Sequence, residues 1–431
     1  MNIARTADPV SCLWTHTTEA AIDTPALEGE ISANVVVIGG GFTGLSTALH
    51  LAEKGADVVV LETESPGFGA SGRNNGQVIP TYGRHSPDQI VKEFGTERGE
   101  RLNEWVAGSA DLVFRLIEKH SIQCEAAQNG WLQPAHRPSR MAGVRAKQSQ
   151  WAARGKPARL LSGDETEALT GSSYYRHGGW IHDTGGHIQP LGYSRGLARA
   201  TIKAGAAIHG RSPAVSIDRS QGKWRATTPR GAVIADTVVL ATNGYTGALW
   251  PRLRQSIVPF RTFHAATAPM SDNVAESVLP QNHGISDTRQ ALWAFRKDPG
   301  NRLITTAAPI APMGARGKIK ATTKARLEEA FPQIGEIEIS HIWEGMIAMT
   351  PERLPRLHEL AGGVYAGLGY SGRGIALATA MGVALAERAM GAPPEAVAPL
   401  PVPVKTLPMH DIVAPLSRAM VGYYRWKDGR D

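Results

Sequence analysis

A buried-strand pattern that runs directly into a glycine-rich turn constrains this chain more than any other feature. The apolar run at residues 35–38 is followed by Gly39, Gly41 and Gly44 in a G-x-G-x-x-G arrangement. Gly39 permits a tight turn, Gly41 leaves room for a pyrophosphate, and Gly44 lets the following helix pack closely on the strand. The motif therefore predicts a βαβ unit whose helix N-terminus binds a dinucleotide phosphate without a metal.

The residues that follow complete this unit. A helical stretch at 45–54 turns at Gly55, and a second apolar strand at 58–61 leads to Glu62, eighteen positions after Gly44. An acid at that position suits the hydroxyl pair of a ribose. A lone glycine motif is a weak signal, but strand, motif, helix, strand and terminal acid together disfavour the alternative of an ordinary βαβ turn.

The length and composition predict a soluble protein of two domains. The chain has 431 residues, of which 42% are hydrophobic and 20% charged, which is ordinary for a globular protein and long for one core. The net charge of +7 is dispersed along the chain, so nucleic-acid binding is not indicated. The only cysteines, Cys12 and Cys124, cannot build a disulfide framework or a cysteine-rich metal site. Without an apolar stretch of about twenty residues, we expect a cytoplasmic protein with no transmembrane segment.

Further glycine-rich loops are typical of segments that contact a ligand through their backbone. The loop at 66–77 has glycine at four of twelve positions, and the strand at 237–244 ends in another glycine loop. A second G-x-G-x-x-G stands at Gly367, Gly369 and Gly372, before an alanine-rich helix. Because no strand ending in an acid follows, it does not predict a second dinucleotide site. It predicts a helix N-terminus beside a ligand that develops negative charge.

In order and spacing, these motifs resemble the D-amino acid oxidase superfamily of FAD enzymes. The matching segments are residues 39–44, 69–77, 186–190, 241–244 and 369–374. Within that superfamily, the Gly-Ala-Ser-Gly-Arg-Asn loop and the Trp-Glu-Gly segment at 343–345 are most similar to the gamma-glutamylputrescine oxidoreductase branch.

The resemblance implies an α/β fold with a discontinuous, Rossmann-like FAD-binding domain and an α+β substrate domain on a mixed or antiparallel sheet. We place the FAD-binding domain at residues 1–90, 186–259 and 343–431, and the substrate domain at 91–185 and 260–342. The implied activity is oxidation of the C–N bond of a small-molecule amine, with hydride transfer to flavin N5 and hydrolysis of the imine to an aldehyde.

The resemblance also implies the residues that contact FAD. The glycines of the first motif would hold the pyrophosphate, Glu62 the adenosine ribose, and Val215 the adenine through its backbone. Residues 71–77 would run beside the isoalloxazine ring, and 369–374 would face its pyrimidine edge. The full predicted set is Gly39, Gly41, Phe42, Thr43, Gly44, Glu62, Thr63, Gly69, Ala70, Ser71, Arg73, Asn74, Asn75, Gly76, Gln77, Val215, Ala241, Thr242, Asn243, Gly244, Gly369, Tyr370, Ser371, Gly372, Arg373 and Gly374.

Two departures from related oxidases affect the predicted chemistry. Sarcosine oxidases tether FAD through a cysteine in the segment matching 346–349 or carry a histidine in the flavin loop, whereas this chain has neither there; we therefore expect non-covalent FAD. Those oxidases also place a lysine over the flavin, in a strand that matches 302–304, where this chain has none. The acceptor is then either O2, giving H2O2, or a quinone or protein in a dehydrogenase of a D- or N-alkyl amino acid. The oligomeric state stays open.

The substrate residues are less strongly indicated than the cofactor residues. Tyr370, Trp343 and Glu344 are the candidate catalytic residues, but aromatic residues near glycine loops more often serve packing, and only Tyr370 is part of a motif. The carboxylate of Glu344 either binds an ammonium group of the substrate or forms a salt bridge within the protein. Arg73 either contacts the flavin or clamps backbone carbonyls. Arg353 and Arg356 are candidates for binding a substrate carboxylate, but surface exposure is the favoured alternative for both.

Two other patterns have a structural alternative. His182, Asp183 and His187 have a spacing that suits metal ligation, but the intervening glycines favour a turn at a domain junction, and we assign no metal. The tail at 412–426 is modestly basic and amphipathic, which predicts a helix that docks on the body or, in a quinone-linked enzyme, contacts a membrane.

Overall fold

The computed structural model describes residues 12–291, 293–307, 315–416 and 419–430, which form two large β-sheets and the helices around them. The strands are β1 Gly29–Ile38, β2 Val58–Leu61, β3 Gln77–Val78, β4 Trp131–Pro134, β5 Ala158–Leu161, β6 Gly179–His182, β7 Gly186–His187, β8 Ala207–His209, β9 Ser216–Ser220, β10 Lys223–Thr227, β11 Gly231–Leu240, β12 Val258–Thr267, β13 Gly284–Ser286, β14 Ala294–Lys297, β15 Leu303–Ala307, β16 Ile339–Met349, β17 Arg356–Ala361 and β18 Val364–Leu368. The helices are α1 Leu13–His16, α2 Phe42–Ala52, α3 Pro87–Phe94, α4 Thr96–Lys119, α5 Met141–Ala152, α6 Gly163–Thr170, α7 Pro190–Lys203, α8 Asp272–Ser277, α9 Ala315–Ala330, α10 Gly374–Ala389, α11 His410–Leu416 and α12 Ala419–Arg430.

The first sheet has the strand order β17-β18-β11-β1-β2-β8, with β10 and β9 extending from β11. Its centre is parallel, and β1 pairs with β2 from Val35↔Val58 to Ile38↔Leu61. All four residues of β2 are buried, as expected for a parallel strand covered on both faces. Helices α2, α4, α7 and α10 share one apolar cluster on this sheet. This is the Rossmann-like layer that the sequence predicted.

The second sheet has the order β16-β12-β15-β14-β13-β4-β6-β5. Its pairs are antiparallel except for β13 with β4, which are parallel. A short pair, β3 with β7, joins Gln77 to His187. The predicted fold class, an α/β domain with a second domain on a mixed sheet, is therefore confirmed.

The predicted domain boundaries need adjustment where they cut strands. β12 and β16 pair from Val258↔Met349 to Thr267↔Ile339, so the proposed boundaries at 259/260 and 342/343 fall inside two strands of the second sheet. Backbone pairing along the whole length of both strands keeps each in one sheet. Helix α4, which we had placed in the substrate domain, packs its buried face with α10 in the cluster of the first sheet.

Several elements differ from the sequence expectation in their ends. Helix α2 begins at Phe42, inside the glycine motif, and the helical region after residue 87 divides at Gly95, whose φ of +81° interrupts the helical backbone. The tail forms α11 and α12, and residues 417–418 lie outside the described ranges. No helix within these ranges is both long and apolar enough to cross a bilayer. Cys12 and Cys124 are buried and unpaired.

Candidate active site

A cavity of about 890 Å³ is lined by residues of both sheets. From the first sheet come the loop at 70–77 and the N-terminal ends of α2 and α10, whereas β12, β15 and β16 contribute from the second. Neither α2 nor α10 has a side-chain cap from its own N-cap residue. Helix N-termini present free N–H groups and a partial positive charge, so this cavity suits a ligand with negative charge at two places.

The first glycine motif is as tightly packed as its predicted role requires. A Cβ on Gly44 would lie 1.9 Å from the Gly39 carbonyl oxygen, and one on Gly41 would lie 2.8 Å from Ser71 Oγ. Gly39 itself has a φ of +110° and touches the Ala241 carbonyl. At Gly39 and Gly44 only glycine fits without moving backbone, whereas at Gly41 the Ser71 side chain would have to shift.

The predicted ribose acid lies beside the same turn. Glu62 accepts hydrogen bonds from the backbone N–H of Gly40 at 2.6 Å and of Glu64 at 3.0 Å, and burial raises the pKa of its carboxyl. Val215 donates its N–H to the Thr227 carbonyl. Of its backbone groups, the carbonyl is therefore the one left for adenine.

The loop at 69–77 is held by its own side chains. Arg73 Nε donates to the Phe68 carbonyl at 2.6 Å, and its guanidinium lies 4.5 Å from the Phe68 ring centre, which supports the clamp alternative. Asn74 bridges the loop by donating to Ala70 and Ser71 carbonyls. In contrast, Asn75 Nδ2 is buried on the cavity without a hydrogen-bond partner. A buried, unsatisfied amide donor suits a heteroatom acceptor of a bound ligand such as the flavin ring.

Gln77 joins this loop to the second sheet. Its Nε2 donates to the Ile285 and Phe295 carbonyls, and its Oε1 accepts from Trp131 Nε1 at 3.1 Å and from Ser286 at 2.6 Å. The side-chain amide thus uses its donors and acceptor within the protein, and we assign it a structural role as well as a place in the cavity wall.

The 241–244 and 369–374 loops are joined to each other. Asn243 has a φ of +41°, and its Oδ1 accepts the Gly369 N–H at 3.0 Å. A Cβ on Gly244 would lie 2.5 Å from the Met346 carbonyl oxygen, which brings β16 against the same loop. The predicted segments 241–244 and 369–374 thus meet at one end of the first sheet.

Of the three candidate catalytic residues, Tyr370 lines the cavity and Trp343 and Glu344 do not. The Tyr370 hydroxyl lies 2.6 Å from the Thr43 hydroxyl on the cavity wall, and burial raises the pKa of its phenol, so it is neutral at pH 7. The Trp343 indole is 2% exposed, packs edge-on against Trp14, and donates to the Arg73 carbonyl. It packs against the loop at 69–77, which favours the packing alternative over the predicted catalytic role.

Glu344 is not among the described residues that line the cavity, although Gly345, Ile347, Ala348 and Met349 of the same strand are. Glu344 instead forms an ion pair with Arg261 at 3.5 Å. The salt-bridge alternative therefore describes it better than ammonium recognition.

Lysine and arginine side chains make the cavity cationic, which the sequence reading missed. Arg373 lines it as predicted, and burial lowers its pKa to about 10; burial and the nearby Arg373 lower the pKa of Lys147 to about 8. Lys147 and Val144 of α5 line the cavity together with Arg140, the N-cap residue of that helix. The i, i+4, i+7 spacing of these three residues predicts that they share one face of a helix. The neighbouring sequence does not indicate which part of the protein that face contacts. Among the described residues of the wall, the basic side chains are Arg73, Arg84, Arg140, Lys147, Arg289, Arg326, Arg353 and Arg373, and the one carboxylate is that of Asp287.

The histidine pair at the domain junction has protein partners. His182 Nδ1 lies 3.1 Å from the Thr184 hydroxyl, and His187 Nε2 lies 2.8 Å from the Asn282 carbonyl. Within the described ranges, no group of three or more His, Cys, Asp or Glu side chains is arranged to hold a metal ion.

Comparison with known proteins identifies the family. Residues 34–388 match the DAO family, described as FAD dependent oxidoreductase. The chain is 33% identical over 370 residues to the probable oxidoreductase OrdL of Rhizobium meliloti and 32% identical over 369 residues to the gamma-glutamylputrescine oxidoreductase of Escherichia coli, with 85% of both chains covered in each case. Glycine oxidase from Bacillus cereus shares the fold at 20% identity with a TM-score of 0.69, covering 87% of this chain and 100% of that one. The chain therefore belongs to the DAO family of FAD-dependent oxidoreductases, as its motifs predicted.

Proposed function

We propose that this enzyme oxidises the C–N bond of a small amine similar to gamma-glutamylputrescine, yielding an imine that water hydrolyses to an aldehyde. The observation that carries the proposal is the shared cavity, in which the FAD-binding loops of the first sheet face β12 and β16 of the second. The E. coli relative that is named for this substrate matches 85% of the chain. FAD, when bound, supplies the oxidising chemistry by accepting a hydride at N5.

The residues of the cavity fit bound FAD. The N-terminus of α10, which its own N-cap residue does not cap, the unsatisfied Asn75 amide and the close approach at Gly41 are features that a phosphate and a polar ring system would use. At α2, the Phe42 N–H is already capped by Ser71. Neither cysteine is among the described residues that line the cavity, which supports non-covalent binding. Arg73, Asn74 and Asn75 occupy the loop positions at which a tethering histidine would stand.

The positive charge of the cavity assists the amine. Loss of hydride from the carbon beside nitrogen needs the nitrogen lone pair, and therefore the neutral amine, although free alkylamines are mostly protonated near pH 7. Nearby cations such as Lys147 and Arg373 disfavour a bound ammonium and lower its pKa. The protein thus favours the neutral, reactive form of the amine without a dedicated base.

Electron transfer to O2, with release of H2O2, is the proposed second half of the cycle, and a dehydrogenase is the second candidate. No lysine stands in β15, which contributes Thr306 and Ala307 to the cavity, although Lys147 reaches the cavity from α5. The lack of a lysine in β15 favours a D- or N-alkyl amino acid dehydrogenase with a quinone or protein acceptor. Strong reduction of a dye with weak oxygen consumption would select the dehydrogenase.

The decisive experiment is an anaerobic visible spectrum of the FAD-loaded protein before and after addition of gamma-glutamylputrescine, putrescine, sarcosine or D-alanine. Bleaching of the flavin by one amine would support the proposed reaction and identify the substrate. Admission of air then separates an oxidase, which recovers its yellow colour rapidly, from a dehydrogenase. Flavin that none of these compounds bleaches would contradict the proposed substrate class.

A further inference from the structure

The C-terminal helices complete the wall of the cavity. Val413 of α11 and Tyr424 of α12 line it, together with Leu407, which precedes α11. These residues are distant in sequence from the nucleotide-binding motif. The exposed Arg84 lines the same part of the wall, which places Tyr424 at the opening of the cavity to solvent.

This segment is attached to the body at both ends. Before α11, the Leu407 N–H donates to the Gln255 carbonyl at 2.8 Å. Near the end of α12, the buried Asp428 carboxylate accepts the N–H groups of Gln290 and Ala291 at 3.0 and 2.8 Å. Two charge-assisted hydrogen bonds to one loop hold α12 in register with the cavity wall, so the position of Tyr424 is defined.

Tyr424 brings two arginines together. The Arg84 guanidinium lies 4.8 Å from the centre of the Tyr424 ring, and the Arg353 side chain hydrogen-bonds to the same tyrosine. Arg353 has a φ of +59°, a backbone conformation that is uncommon for this residue type and is often retained at functional sites. The turn after β16 therefore directs a strained arginine to the cavity opening.

Among the residues that the structure describes, no carboxylate forms an ion pair with Arg84 or Arg353. Burial and then the neighbouring Arg84 lower the pKa of Arg353, as expected when a partly buried cation faces another cation. An anion bound between them would relieve the desolvation and the repulsion together.

We propose that Arg84, Arg353 and Tyr424 form a subsite that binds a carboxylate at the non-reacting end of the amine substrate. Guanidinium groups match the two oxygens of a carboxylate in geometry as well as in charge. Because the Tyr424 oxygen takes part in the bond with Arg353, its hydroxyl hydrogen is left to donate to the ligand. The inference rests on the proposed function and narrows it to amines that carry a carboxylate remote from the oxidised carbon.

The first test measures binding without turnover. Glutarate, which has carboxylates but no amine, should raise the thermal unfolding temperature of the FAD-loaded enzyme, and should do so much less in Arg84→Met and Arg353→Met. Arg98→Met is the matched control, since Arg98 packs on Phe94 at 5.0 Å outside the cavity, and it should respond as the wild type does. Equal responses in all four proteins, or none in the wild type, would overturn the subsite.

The second test uses turnover. We expect kcat/KM for gamma-glutamylputrescine to fall about tenfold to a hundredfold in either arginine variant, mainly through KM, whereas the value for putrescine changes little. Tyr424→Phe keeps the ring under Arg84 and should show a smaller loss of the same kind, which provides a variant that folds if an arginine variant does not. Equal losses for both amines would contradict carboxylate recognition while leaving the oxidation intact. If no amine is oxidised but the glutarate response follows the arginines, the proposed function fails and the subsite stands.

Discussion

At the scale of single residues, close backbone approach limits the nucleotide-binding turn to glycine. Gly44 packs its Cα against the Gly39 carbonyl oxygen, and an added Cβ would stand 1.9 Å from it. The Gly39 carbonyl belongs to the backbone and not to a flexible side chain, so the turn itself would have to open to make room for a Cβ on Gly44. Gly108, inside α4, provides a control, because no atom lies within 4 Å of a Cβ added there. Packing therefore does not require glycine at this position.

Gly44→Ala should destabilise the protein by about 1–3 kcal/mol because of this overlap, and should reduce the FAD retained after purification. Gly108→Ala should instead stabilise it by about 0.5–1 kcal/mol, since alanine loses less conformational freedom in a helix. Urea unfolding and visible absorbance would measure both effects. Normal FAD content in Gly44→Ala would contradict the requirement for close approach.

Ser71 supplies a cap that α2 lacks locally. Its Oγ accepts the Phe42 N–H at 2.9 Å from a position 29 residues later. Ser71→Ala should cost about 1 kcal/mol and weaken FAD binding several-fold, by releasing the flavin loop from the helix. Ser162→Ala, which removes the cap of α6, should cost a similar amount without changing the FAD dissociation constant. Fluorescence titration with FAD would distinguish the two.

At the scale of elements, the C-terminal part of β16 lines the cavity, and the attachment of α12 decides where the cavity ends. Asp428 on α12 is 6% exposed and bonds two backbone N–H groups, whereas Asp411 on α11 pairs with Arg254 at the surface. The hydrogen bonds of Asp428 are protected from water, whereas the Asp411–Arg254 ion pair is exposed. Exposed ion pairs contribute little.

Asp428→Ala should therefore release α12 from the loop at 290–291. Hydrogen exchange followed by mass spectrometry should show faster exchange in 419–430 and in that loop, because the two backbone donors lose their acceptor. Asp411→Ala should leave both segments near their wild-type rates. Unchanged exchange in Asp428→Ala would mean that apolar packing alone holds the helix.

At the scale of the whole molecule, buried neutral histidines link stability to pH. Burial lowers the pKa of His136, His187 and His264 to about 3, and that of His182 to about 4, with nearby cations adding to the effect at all but His264. Between these values and the unfolded value near 6.5, the unfolded chain binds more protons than the folded one. The free energy of unfolding must then decrease as pH falls.

We expect urea midpoints to fall steadily from pH 6.5 towards pH 4, with each such histidine contributing up to about 1.4 kcal/mol per pH unit. His264→Phe should reduce this slope, because phenylalanine can stack on Trp343 as His264 does and does not titrate. An unchanged slope in this variant would show that His264 is protonated in the folded state.

The sequence alone determined the βαβ unit, the glycine-rich loops at 69–77 and 369–374 and the fold class, because these depend on local turns and on the periodicity of neighbouring residues. It also indicated Tyr370, whose place on the cavity wall follows from the loop that carries it. Only the tertiary structure decided that Trp343 packs against the loop at 69–77, that Glu344 pairs with Arg261, and that Arg84, Lys147 and Tyr424 share one cavity. Those contacts join segments far apart in the chain, and their geometry is set by how the two sheets and the C-terminal helices pack, which no local pattern encodes.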